Sequence, residues 1–191
     1  TKDRPMQIDK LLASLAAQDM EFGKIVVVFF GTDISDVIRK YADVLDIELH
    51  ESERPGQLIQ RNLGLSKLGD VLKLVALFDD DVVLEEGSFR SILELVNRMP
   101  LAGVSFNIIN HPAEEFSLLK YLFGLTAKRP GAVMKSGLTT PNINMTADVR
   151  TQWLCGGATV WKKEILDQHR HKDISTKWAI GEDLIFSYPI G

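Results

Sequence analysis

An α/β fold is predicted by three features of the 191-residue sequence. Two short, nearly unbroken apolar runs, Ile25 to Phe30 and Val71 to Phe78, end at turn or acidic residues, as strands buried on both faces of a parallel sheet do. Segments with helical apolar spacing lie between and around them. Strand and helix therefore alternate, the order that builds a mostly parallel central sheet flanked by helices.

The elements follow in chain order. Ile8, Leu11, Leu12 and Leu15 recur at helical spacing behind Pro5, so Met6 to Gln18 reads as a helix. Ser35 to Ala42 is a short helix, and Asp46 to His50 a weaker strand with Ile47 and Leu49 alternating. Gln57 to Leu65 and Ser88 to Arg98 carry one-sided apolar patterns and read as helices. Ala102 to Ile109 is a further strand and Ala113 to Phe123 a helix. From Gly124 to Met145 periodicity fails, and a stretch of this length inside a domain reads as an active-site loop. Trp153 to Trp161 regains β character around Gly156-Gly157, and Lys163 to His169 closes with a short helix.

Composition narrows the function. With 45% hydrophobic and 25% charged residues the chain suits one domain, residues 1–191. A net charge of −4 gives no positive field to gather nucleic acid, so bound phosphate must be held locally. The single cysteine, Cys155, makes no internal disulfide and fits a cytoplasmic setting. The apolar runs are far shorter than the roughly 20 residues of a membrane helix, and no signal peptide is visible.

Two acidic motifs carry the chemistry. Asp79-Asp80-Asp81 follows the most apolar run, where ligands bind in an open α/β sheet. Three adjacent carboxylates repel one another, and an oxygen-preferring divalent cation reverses that cost. An acidic surface turn is the alternative. Gly181-Glu182-Asp183 precedes the apolar Leu184 to Phe186 and reads equally as a helix N-terminus. His111, His169 and His171 lie in polar surroundings and receive no role, while core packing suits Trp161 and sugar stacking suits Trp153 and Trp178.

Taken in order, Thr1-Lys2-Asp3-Arg4-Pro5, Arg61-Asn62-Leu63-Gly64, Asp79-Asp80-Asp81, Trp153-Leu154-Cys155-Gly156-Gly157-Ala158 and Gly181-Glu182-Asp183 resemble family 2 glycosyltransferases over nearly the whole chain. These are inverting enzymes of the GT-A fold, and the likeness extends to bacterial polysaccharide and lipopolysaccharide sugar transferases. The resemblance implies transfer of a sugar from a nucleoside diphosphate, UDP first, to the hydroxyl of a glycan or lipid-linked acceptor in cell-envelope synthesis. It implies a divalent metal, Mn²⁺ or Mg²⁺, on Asp81 with Asp79, and a catalytic base at Asp183 with Glu182 beside it. Donor contacts fall on Thr1, Arg4, Asp33, Arg61, Asn62, Asp79, Asp80, Gly156 and Gly157. Asp33 matches the family pattern poorly, and capping the following helix is its alternative role. The donor part spans about residues 1–110 and the acceptor side about 111–191, with residues 124–145 expected to act as a mobile lid.

The family opens on a strand of which Thr1 to Pro5 would be the end, so the first strand is expected to be missing. Peripheral association with the cytoplasmic face of the inner membrane would run through segments outside this sequence. A sugar-phosphate nucleotidyltransferase, or a binding module without activity, is the alternative. The former normally needs a glycine-rich basic loop near its N-terminus, which is not found.

Overall fold

In the computed structural model, which describes residues 1–112, 116–171 and 181–190, the first layer is a parallel pair. Strand β1 (Ile25–Phe29) runs beside β2 (Ile47–Glu51) in the register Ile25 to Ile47 through Phe29 to Glu51. The intervening helix α2 (Ser35–Arg39) makes the crossover. Helix α1 (Pro5–Ala16) starts on Pro5, whose missing N–H costs nothing at that position, and buries Ile8, Leu11, Leu12 and Leu15. Ahead of it, Lys2 bridges Phe30 in parallel sense and the Phe30 N–H donates to the Thr1 carbonyl, so the first residues extend this sheet edge.

The second sheet has the order β3-β5-β4, from β3 (Leu74–Phe78), β5 (Ala158–Lys162) and β4 (Gly103–Ser105). Strand β5 is antiparallel to both neighbours. This reversed central strand adds a mixed sheet to the parallel pair, and apolar patterning alone carries no strand direction.

Alternation along this sheet divides the core in two. Ala76, Phe78, Val104, Ala158 and Val160 face a large cluster shared with α1, β1, α2 and α4 (Ser88–Arg98). Phe22, Phe78, Phe89 and Phe106 meet there with ring centroids 4.8 to 5.7 Å apart. Val75 and Trp161 face a smaller cluster with Leu65 of α3 (Gln57–Ser66), Leu166 of α6 (Lys163–Gln168) and Phe186 of α7 (Glu182–Ser187). Trp161 meets Phe186 edge to face at 5.1 Å, so its core role holds. A short 3-10 turn, Tyr188–Ile190, follows α7.

Several boundaries differ from the sequence expectation. Strand β3 begins at Leu74, and Val71 stands exposed before it. The expected strand 102–109 shortens to three residues, and the expected helix 113–123 to α5 (Leu118–Leu122), with 113–115 outside the described residues. The segment 124–145, aperiodic in sequence, carries local pairing between residues 131 and 140. Val133 bridges Thr139, Ala132 exchanges hydrogen bonds with Thr140, and the Gln152 N–H donates to the Gly131 carbonyl. Turn residues hide such pairing because their bonds are local and aperiodic.

Candidate functional site

The carboxyl end of β3 and the amino end of β5 lie side by side, because antiparallel pairing sets Phe78 opposite Ala158. Asp79 continues this ladder, its N–H donating to the Gly157 carbonyl at 2.9 Å. Asp79 and the Gly156-Gly157 pair, far apart in sequence, therefore belong to one sheet end.

Arg61 of α3 joins this end to α7. Its side chain is only 9% exposed. One terminal nitrogen, Nη2, donates to Asp79 Oδ1 at 3.0 Å. The other, Nη1, lies 3.4 Å from Glu182 Oε1 and 3.7 Å from Asp183 Oδ1. Gln57, one turn earlier, donates to the same Asp79 oxygen at 3.0 Å. A planar fork of donors matches three carboxylates in a way a lysine could not.

Burial pushes the Asp79 and Asp183 carboxyls up, against the opposing pull of Arg61. Glu182 is pushed up to about 7, first by burial, with Asp183 and Asp79 adding repulsion that Arg61 offsets only in part. Among the described residues its Oε2 is buried without a hydrogen-bond partner.

Gly156 explains the close approach of Asp183. A Cβ there would overlap Asp183 Oδ1, and the Gly156 backbone hydrogen-bonds the carboxylate. Ser187 completes the frame, its hydroxyl donating to the Asp183 carbonyl and accepting from the Leu154 N–H. Cys155 lies in the same turn, its thiol pushed up by burial and then by Asp183.

At the outer side Arg4 reaches the acidic triplet, with Nη1 3.2 Å from Asp80 Oδ1 and 3.6 Å from Asp81 Oδ2. The preceding loop is locked by Asp3, which takes the left-handed conformation at φ 53° and accepts from the Thr32 N–H and hydroxyl. Gly31, at φ 91°, makes room for it. The Thr1 backbone nitrogen donates to the Val28 carbonyl at 2.7 Å, and Gln60 donates to the Thr1 carbonyl at 2.8 Å.

Among the described residues no three His, Cys, Asp or Glu side chains form a group that could hold a cation. Mg²⁺ does not require one, since one or two carboxylates with substrate phosphates and water complete its shell. Asp81, whose side chain is 63% exposed beyond the strand, fits that partial shell. Asp79 already gives Oδ1 to Arg61 and Gln57, so the cation beside it here is a guanidinium.

The structure thus gathers Arg61, Asp79, Glu182, Asp183, Gly156 and Gly157, with Arg4, Asp80 and Asp81 at the rim. Asn62 does not join them: its amide donates to the His171 carbonyl at 2.9 Å. Asp33 accepts from the Ser35 N–H and hydroxyl, the capping role that was its alternative. The sequence reading missed Gln57, Asp3 and His171. His171 is buried, stacks on Phe186 at 4.0 Å, and is pushed down to about 4 by burial and by Arg61. Its neighbours His169 and Arg170 are polar, so no sequence signal separated it from a solvated histidine. Trp153 donates to the Thr140 carbonyl at 3.3 Å, and Trp178 lies outside the described residues.

No family model matches the chain, and no curated protein matches it in sequence. Solved structures match its fold. The crystal structure of S. aureus TarS 1-349 aligns with a TM-score of 0.64 at 19% identity, covering 98% of this chain and 52% of that one. The same protein in complex with UDP-GlcNAc aligns at 0.56 and 18%, covering 94% and 48%. The mannosyltransferase PcManGT from Pyrobaculum calidifontis, in complex with GDP-Man and Mn²⁺, aligns at 0.57 and 17%, covering 88% and 44%. The chain has the α/β, GT-A-like fold of these glycosyltransferase structures and spans about half the length of each.

Proposed function

We propose that the chain carries the donor-binding and catalytic part of an inverting, metal-assisted glycosyltransferase. The observation that carries this reading is the Arg61 fork, which holds Asp79 at the β3 end within one cluster with Glu182 and Asp183. The likeness to structures that bind UDP-GlcNAc and GDP-Man supports a nucleoside diphosphate sugar, UDP first, as donor.

In this reading Asp183 is the base. An acceptor hydroxyl of a glycan or lipid-linked sugar forms the new bond to the anomeric carbon as its proton passes to the Asp183 carboxylate. The bond from that carbon to the diphosphate oxygen breaks, and the electron pair leaves with the diphosphate. Burial raises the affinity of Asp183 for a proton, which suits a base. Arg61 keeps it ionised and aimed, and Glu182 orients the acceptor side. Asp79, Asp80, Arg4 and Thr1 bind the donor. The backbone at Gly156 and Gly157 lies beside the donor sugar. A divalent cation, Mn²⁺ or Mg²⁺, on Asp81 would neutralise charge on the diphosphate. Envelope synthesis at the cytoplasmic membrane face is the matching setting.

Calorimetry with UDP, with and without Mn²⁺, tests the donor site: binding should require the metal and be lost in Asp81→Ala. Asp183→Asn should keep that binding and lose transfer by roughly 10²- to 10⁴-fold. Full transfer by this variant would remove the base assignment, and pyrophosphate exchange would replace the reading by nucleotidyl transfer.

A further inference from the structure

We infer that the segment around α5 is a docking surface for an anionic lipid bilayer, an interaction independent of the transfer reading. Every residue of α5, Leu118-Leu119-Lys120-Tyr121-Leu122, remains unburied. Phe116, Leu118, Leu119, Leu122, Phe123 and Leu125 stand exposed together, with Leu122 and Phe123 at 72%. A helix apolar on all sides normally lies inside a protein, and a contiguous exposed patch of this kind marks an interaction site.

Charge says what the partner is. Beyond Glu115 the chain has no acidic residue until Asp148, while Lys120, Lys128, Arg129 and Lys135 fall within that stretch, in a protein of net charge −4. Lys120 lies within α5, and Lys128 and Lys135 are tied to the patch, while Arg129 donates to the Arg150 carbonyl. Lys128 Nζ sits over the Tyr121 ring at 5.4 Å, and Ser136, next to Lys135, donates to the Gly124 carbonyl just past α5. Leucines and aromatic rings that enter the headgroup region, ringed by lysine and arginine, match an anionic bilayer surface. A symmetric contact between two copies would instead set this basic ring against itself.

The test is flotation of the chain with vesicles of phosphatidylglycerol mixed into phosphatidylcholine, against phosphatidylcholine alone. Binding is expected on the anionic vesicles only, weakening with salt. Lys128→Gln and Lys135→Gln should each weaken it about fivefold. Leu122→Asp with Phe123→Asp should abolish it while thermal unfolding stays at the parent temperature, since both side chains are exposed. No binding to anionic vesicles, or unchanged binding by the double variant, overturns the proposal. So does concentration-dependent dimerisation that the double variant removes, which would make this face an interface between copies.

Discussion

Arg61 is the residue on which the site turns, because a single guanidinium offsets repulsion among Asp79, Glu182 and Asp183. Replacing it by methionine keeps most of the apolar stem and removes the charge. The Asp183 carboxyl then rises further, and the acid limb of the transfer rate against pH should move to higher pH, as a rate profile of Arg61→Met would register. An unmoved limb would mean that Arg61 does not act on the base. Gly156 makes a different demand, since its missing side chain is the space Asp183 occupies. Gly156→Ala should lower turnover about 10²-fold, with UDP affinity little changed, because the added methyl group displaces Asp183, the proposed base, by the order of an ångström.

At the scale of elements, what the sequence made legible was what periodicity encodes. Helix Ser88–Arg98 is found at its expected bounds, and α1 and α3 within two residues, because a one-sided apolar stripe announces itself. The acidic triplet at a strand end and the Gly181-Glu182-Asp183 helix start were equally visible. What could not be read is pairing: that β5 inserts reversed between β3 and β4, that Asn62 turns to the chain at His171, and that residues 131–140 bond back to 152. Those facts depend on partners distant in sequence. Two substitutions probe the packing between elements. Leu166 of α6 is fully buried in the smaller cluster, so Leu166→Ala should cost about 2–5 kcal/mol by urea unfolding. Gly103 of β4 lies against the Trp161 indole, where a Cβ would overlap the ring, so Gly103→Ala should cost about 1–3 kcal/mol.

For the molecule as a whole, the site leaves a signature in stability against pH. Glu182 titrates at about 7 when folded, against 4.5 for the ordinary side chain, so the folded state binds the extra proton between those values. Its contribution is present below pH 4.5 and lost as pH rises through 7. His171 slopes the other way: at about 4 when folded, against 6.5, it contributes stability above pH 6.5 that is lost as pH falls toward 4. The two oppose each other between about pH 4.5 and 6.5. Glu182→Gln should remove one slope, so that its unfolding free energy rises with pH across that window while the parent stays flatter, as chemical unfolding at a series of pH values would reveal.

The reversed strand β5 has one more implication. Strand β4 ends at Ser105 and β5 starts at Ala158, yet the two are hydrogen-bonded neighbours, so everything from 106 to 157 is an excursion that leaves one sheet and returns to it. Lengthening such an excursion adds only a logarithmic closure cost, and the alignment of Asp79 with Gly157 is set inside the β3–β5 ladder itself. The outer part of the excursion can therefore take insertions, for instance at the turn around Gly137, while Phe106 and Leu154 to Gly157 keep their places beside the core and the carboxylate cluster. Such a layout lets the outer surface of this segment diversify around a fixed cluster of charged groups.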